Sequence, residues 1–404
     1  MHAKYAVLAL ALLCIATMAP AQAKYVEEFS VAPINWNHAA PSISGDTVVW
    51  TDFINGHDAG MYGTYLGDDT VFTVWDEYGP NESIGVVDGH LVVWQRGAVP
   101  SSFDIYGKNL LTGITFPIAN TGNAEMDPDI SGTMVVCEVL NVTYDIYAYD
   151  LSKFPYAPLV VCNEGTTHQQ NPAIHGDLVV WEDYRNGNGD IYGAFFVDGM
   201  PQPPFPLCTH EAGQTLPAVH EDIVVWVDTR NGTSDIYGYN VSTGREFAVA
   251  VAPGTQTNPA VHGPYAVYES NETGAWNIYG CDLRTGQTFP ITNDAAIQGK
   301  PDIYGNTAIW YDLSAPQRFI NGAVIHDNNG SAPASAHPLV TTHLARALSL
   351  WDSLVEELPA ELTDEQMATL DDVQALMEKA VSVANPLYAA GMLRQAIDIM
   401  TEMP

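Results

Sequence analysis

Residues 183–193 read DYRNGNGDIYG, and residues 228–238 read DTRNGTSDIYG. Each phrase sets two aspartates on either side of an Asn-Gly pair: Asp183 with Asp190, and Asp228 with Asp235. Carboxylate oxygens, joined by the amide oxygen of Asn186, are the hard donors that calcium takes. The spacing departs from the calcium-loop pattern D-x-[DN]-x-[DN]-G, because Tyr184-Arg185 and Thr229-Arg230 intervene, and a guanidinium is a poor neighbour for a divalent cation. A tight hairpin accounts for the same residues: Asn-Gly supplies the left-handed turn, Asp caps it and Arg pairs with a carboxylate. The turn is the preferred reading; calcium is the one cofactor the residues would admit. His175, His220 and His262 occupy one register of three successive segments, and three converging imidazoles would suit zinc or copper. Their equivalents are Ser44, Asp88, Ser131 and Tyr304, which favours packing at a turn. A third recurring class is amide: Gln170, Gln214, Gln256 and Gln298, with Gln169, Asn171 and Asn258 beside them. Amides near Trp and Tyr suit a glycan- or peptide-binding face, or hydrogen bonding between neighbouring units. No G-x-S-x-G, H-E-x-x-H or phosphate-binding glycine loop occurs, so no catalytic residue is singled out.

The elements that position these residues repeat. PAIHGDLVVW (172–181) recurs at 41–50, 85–94, 128–137, 217–226, 259–268 and 301–310. The anchor residues are Trp50, Trp94, Cys137, Trp181, Trp226, Tyr268 and Trp310, with gaps of 44, 43, 44, 45, 42 and 42 residues. Within each unit, short β-branched and aromatic runs alternate with Gly, Asn and Asp turns, which reads as four strands. The first is expected after the proline, as at Ala173-Ile174. The fourth carries Phe72, Phe116, Phe205, Phe247 or Phe289, with Leu159 once. Four strands in about 43 residues is the period of a β-propeller blade. The fold expected is an all-β, seven-bladed propeller over 24–327. The seventh repeat supplies three strands, and Glu28-Phe29-Ser30-Val31 matches the fourth-strand pattern of Glu246-Phe247-Ala248-Val249. The N-terminal segment is therefore expected to close the last blade and remove an open edge.

The run P-x-x-x-G-x-x-V-V-W-x-D-x-R-N-G-x-x-D-I-Y-G resembles the TolB-like propeller repeat, in the versions found in tandem on archaeal and bacterial cell-surface proteins. The resemblance covers roughly residues 26–327. It departs at Cys137 in place of Trp, at Asn321 in place of Tyr, and in repeats two, three and seven, which lack the Arg-Asn-Gly turn. TolB pairs its propeller with an amino-terminal domain that has no counterpart here, so the resemblance implies the fold and not the partners.

Residues 1–23 read as a signal peptide: Lys4, a short apolar run and an A-x-A site ending at Ala23. Export is expected, without membrane insertion. Removing Lys4 with the leader leaves 13 basic against 48 acidic residues, a net charge of −35. Such a surface repels nucleic acid and anionic lipid. Cys137, Cys162, Cys208 and Cys281 form no C-x-x-C pair and read as scattered; buried thiols fit them at least as well as disulfides. Residues 328–338 read as a linker. Beyond it the apolar period becomes helical: Leu344, Leu348, Trp351, Val355 and Leu358 share one face, Thr363–Gln366 is a capping box, and Asn385-Pro386 opens a third helix. A three-helix module over 339–404 is expected, with self-association through it. Together these features point to a non-catalytic interaction protein, secreted, periplasmic or on the cell surface, that binds protein or carbohydrate at the envelope. The alternatives are a polysaccharide hydrolase or lyase at the channel mouth, and a structural surface-layer component.

Overall fold

Val-Val-Trp runs place large side chains on both faces of a strand, and only a strand covered on both sides can bury them. The computed structural model solves this with seven sheets, each packed between two others. It describes residues 24–31, 37–54, 57–68, 70–76, 85–97, 102–293, 295–313 and 319–326. The leader 1–23, the linker 328–338 and the helical module 339–404 lie outside the described residues. Six sheets have four antiparallel strands in chain order, inner to outer, blade seven takes its outer strand from the start of the chain, and blade four adds the two-residue strand Met200–Pro201. The innermost strands are Asn37–Ser44, Gly85–Asp88, Ala124–Ser131, Gln169–His175, Gln214–His220, Gln256–His262 and Gln298–Tyr304.

Closure follows the expected route. Strand Tyr25–Ser30 pairs antiparallel with Phe319–His326 over six register positions and becomes the outer strand of blade seven. Phe29 lies opposite Gly322 there, as Phe247 lies opposite Gly238 and Phe289 opposite Gly280. The glycine is required by the ring. A Cβ on Gly280 would sit 2.6 Å from the Phe289 ring, and one on Gly322 would sit 2.6 Å from that of Phe29. Blade three changes both partners together, with Ala148 opposite Leu159.

The inner strands begin earlier than the prolines suggest. In blade four the strand opens at Gln169, which pairs with Asp183, and a bulge between Gln170 and Ala173 absorbs Asn171-Pro172. Proline is tolerated at a bulge because the N–H it lacks has no ladder role there. Six blades share this bulge, and its first residue is left-handed each time: Ala40, Asp127, Asn171, Leu216, Asn258 and Lys300, with φ between 45° and 52°. Non-glycine residues rarely adopt that region, so the recurrence marks a constant demand of the architecture. The apolar core is distributed between blades. Trp181 and Val179, for instance, pack with Ile146, Val161 and Cys162 of blade three, and Trp226 packs with Leu178, Val180 and Leu207 of blade four.

Candidate functional site

The inner strands surround a channel of about 520 Å³. Two levels of side chains line it, one at the bulges and one at the turns that end the inner strands.

At the bulge level, the residue after the anchors Trp94, Cys137, Trp181 and Tyr268 reaches the next blade. The backbone N–H of Asn171 donates to Glu138 Oε1 (2.6 Å), that of Leu216 to Glu182 Oε1 (2.6 Å) and that of Lys300 to Glu269 Oε1 (2.7 Å). Blade two uses an amide in the same place, where Asp127 N–H donates to Gln95 Oε1 at 2.8 Å. The bulge explains the geometry, since it turns an N–H out of its own ladder and toward the neighbouring blade. The side chains of the bulge residues add to the level. Asn171 and Asn258 donate through Nδ2 to Glu182 and Glu269, and Lys300 Nζ donates to Asn258 Oδ1 at 3.1 Å. Tyr184 donates its hydroxyl to Glu182 Oε2. Burial pushes the Glu138 carboxyl up to about 8, helped by the charge of Asp127. Burial raises Glu182 and Glu269 as well.

Deeper in the channel, Asp129 of blade three and Asp302 of blade seven occupy the same register. Ile174 N–H donates to Asp129 Oδ2 at 2.8 Å, and Ile43 N–H to Asp302 Oδ2 at 2.9 Å, each from the following blade. Burial pushes Asp129 up to about 7, with the charges of Asp302 and Asp88 adding to it, and pushes Asp302 up to about 6.

At the turn level stand Ser44, Asp88, Ser131, His175, His220, His262 and Tyr304. Each of the first six accepts a backbone N–H from the next blade's turn: Gly89, Gly132, Gly176, Glu221, Gly263 and Gly305. The three imidazoles stack with centroids 4.2 and 3.9 Å apart, and His262 stacks on Tyr304 at 4.3 Å. Because Nδ1 accepts, each neutral ring carries its proton on Nε2. Burial, joined by the neighbouring imidazoles, lowers His220 to about 4 and His262 to about 3. The rings lie in a row, each tilted by 40–41° to the next, and among the described residues no group of three or more His, Cys, Asp or Glu is placed to hold a metal ion.

The aspartates of the two Arg-Asn-Gly phrases lie away from the channel. Asp183 is fully buried and accepts from Trp181 Nε1, Arg185 N, Nε and Nη2. Asp228 accepts in the same way from Trp226 Nε1 and Arg230. Burial raises the Asp228 carboxyl, but its hydrogen bonds to Arg230 and Trp226 outweigh this and hold it below the usual range. Asn186 and Asn231 donate to Asp190 and Asp235, and each arginine lies over a tyrosine, 4.3 Å above Tyr192 and 4.1 Å above Tyr237. All of these oxygens except Asp235 Oδ1 accept hydrogen bonds that fasten a turn. Arg185 Nη2 also reaches Cys162 Sγ of the preceding blade at 3.3 Å, and Arg230 repeats this with Cys208. Cys137, Cys162, Cys208 and Cys281 are all buried and unlinked.

The glutamines sit where the sequence did not place them. Gln214, Gln256 and Gln298 lie within the inner strands, fully buried, paired with Asp228, Ser270 and Asp312. Their register mate in blade four is Gln169; Gln170, one position on, is half-buried. They line the interior of the wall because the strand begins before the proline. Asp129 and Asp302 line the channel, Glu138, Glu182 and Glu269 stand behind it against the bulge residues, and among 48 acidic residues composition hides any five. Their one signal is position: directly after the anchor, or directly after the strand proline.

No protein-family model matches this sequence, and no curated protein does. Solved structures do. A puromycin-hydrolyzing peptidase from Mycobacterium tuberculosis aligns with a TM-score of 0.53 and 15% identity over 70% of this chain and 51% of its own. This chain thus spans about half of that peptidase. The β-propeller domain of the Trilobed protease from Pyrococcus furiosus gives 0.54 and 12% over 71% of this chain and 95% of that one. Oligogalacturonate lyase from Vibrio parahaemolyticus gives 0.56 and 11% over 74% and 96%. Among the described residues no helix is long and apolar enough to cross a membrane. At these identities the likeness shows the fold, and the chain is a seven-bladed β-propeller with four-stranded blades.

Proposed function

We propose that the protein is exported after loss of residues 1–23 and recognises a carbohydrate or peptide ligand at the bulge end of its channel, without transforming it. The observation that carries this reading is the stapling of the carboxylates in and behind the channel wall. Glu138, Glu182, Glu269, Asp129 and Asp302 each accept a backbone N–H from the following blade. Their raised pKa values come from burial, against which the backbone hydrogen bonds act, so they do not by themselves signal acid–base chemistry. What the level offers a ligand is an array of acceptors and amides around the Lys300 ammonium. The lining Asp127, Asn171 and Asn258 offer oxygens that accept from sugar hydroxyls or peptide N–H groups. The tandem TolB-like repeat, of the kind found on cell-surface proteins, supports a place at the envelope. The test is a glycan and peptide array probed with the mature chain and with Asn258→Ala/Lys300→Ala. Binding by the parent and its loss in the variant is expected; equal binding by both would place the ligand elsewhere.

A second reading rests on Asp129 and Asp302. Two carboxyls at one register of opposite blades, titrating near neutrality and sensing each other's charge, could share acid and base roles on a polysaccharide. That reading requires turnover that Asp129→Asn/Asp302→Asn abolishes.

A further inference from the structure

The turns joining third to outer strand form one edge of the disc. In blades five and six they read Ser242-Thr243-Gly244 and Arg284-Thr285-Gly286, polar and short. In blades two, three and four the same edge is apolar. Leu111 and Ile114 are 70% and 61% exposed, Phe154 is 86%, and Val197 and Met200 are above 50%. Val160, on the outer strand of blade three, continues the surface. The three turns are joined. Tyr156 packs between Phe116 of blade two and Phe154, with ring centroids 6.0 and 5.5 Å away. The blade-four hairpin comes so close to blade three that a Cβ on Gly199 would lie 3.1 Å from Lys153 Nζ. Single exposed hydrophobics are ordinary, but a continuous apolar edge on a chain of net charge −34 marks a covered surface.

We propose that this edge is the docking surface for the chain's own C-terminal segment, residues 339–404. Three observations select that occupant. The third strand of blade seven ends at His326, on the edge where all third strands end, so the remaining 78 residues leave the propeller on the face that carries the apolar turns. Residues 327–343 can span roughly 55 Å when extended, enough to cross a 300-residue domain whose radius of gyration is roughly 19 Å. The segment also carries the complementary chemistry. Leu344, Leu348, Trp351, Val355 and Leu358 recur in the sequence at helical spacing, and residues 347–378 hold nine acidic and no basic residues. Lys153, 64% exposed and paired with Asp150 at 2.8 Å, is the cation of this edge.

Hydrogen exchange on the mature full-length chain tests this from both sides. In Leu348→Ser/Trp351→Ser, amides of 109–116, 152–160 and 197–202 should exchange about tenfold faster, while 283–287 of blade six is unchanged. In Phe154→Ser/Met200→Ser, residues 344–358 should respond by a similar factor. Unchanged exchange at either reciprocal site overturns the proposal. Protection that disappears on dilution also overturns it, since a second copy would then be the cover.

Discussion

Replacing Gly280 by Ala puts a methyl group where the Phe289 ring already stands. The added Cβ would lie 2.6 Å from Cζ and 2.8 Å from Cε2 of that ring. Phe289 is 7% exposed, so the ring has little room to withdraw and must push the outer strand away. Overpacking of this kind costs about 2 kcal/mol. Phe289→Leu alone removes part of a buried ring and costs about 1 kcal/mol. Were the two sites independent, the double variant would lose about 3 kcal/mol. Blade three shows why it will not: Ala148 faces Leu159, a natural version of the double variant. Gly280→Ala/Phe289→Leu should lose only about 1 kcal/mol, a coupling of about 2 kcal/mol. Urea unfolding of the four chains, compared at constant m, measures this cycle. Additivity to within about 0.5 kcal/mol would refute the claim that the outer strands are held by ring-on-glycine packing.

Other consequences are as direct. Glu138 has its folded pKa raised to about 8, so relative to the unfolded chain its contribution is fully present below about pH 4.5 and is lost as pH rises toward 8. Glu138→Gln keeps an acceptor for Asn171 N–H, and should be more stable than the parent at pH 8 by about 2 kcal/mol and nearly equal at pH 4, read by thermal melts. His220 and His262 have folded values lowered to about 4 and 3, so the unfolded chain takes up protons first and stability falls as pH drops from about 6.5 toward those values. Allowing for their partial exposure, His220→Gln/His262→Gln should flatten the acid limb of a stability–pH curve by about 2 kcal/mol; an unaltered limb would mean that the imidazoles are not held neutral by the stack. Phe29→Ala should destabilise by about 2 kcal/mol, and deletion of residues 24–30 should lower the melting temperature far more, since it leaves blade seven with an open edge. An unchanged melting temperature would contradict ring closure by that strand.

The architecture was legible because it is periodic. A tryptophan or its substitute every 42–45 residues fixes blade number, and Glu28-Phe29 betrays the closing strand by matching Glu246-Phe247. The channel was not legible, for two physical reasons. Prolines 172, 217, 259 and 301 read as strand starts, whereas a left-handed bulge at Asn171, Leu216, Asn258 and Lys300 carries the strand through them and buries the preceding glutamines. Composition hid the rest, since Glu138 and Glu182 differ from dozens of other carboxylates only in following an aromatic anchor or its substitute, Cys137. The histidines were placed at the right turn, yet their stacking and their shared role as acceptors from the next blade depend on the radius of the ring, which no local pattern encodes. The phrase DYRNGNGDIYG proves to be a fastening between blades, in which Arg185 ties Asp183 to Cys162 of its neighbour.

Recognition without turnover at the bulge end of the channel is tested most directly with the ligand that the array selects. The mature protein is incubated with it, and the ligand is followed by mass spectrometry alongside a binding titration. Saturable binding is expected, weakened by Asn258→Ala/Lys300→Ala, with the ligand recovered intact after long incubation. Time-dependent appearance of shortened or unsaturated products, abolished by Asp129→Asn/Asp302→Asn, would contradict this and make the channel an active site.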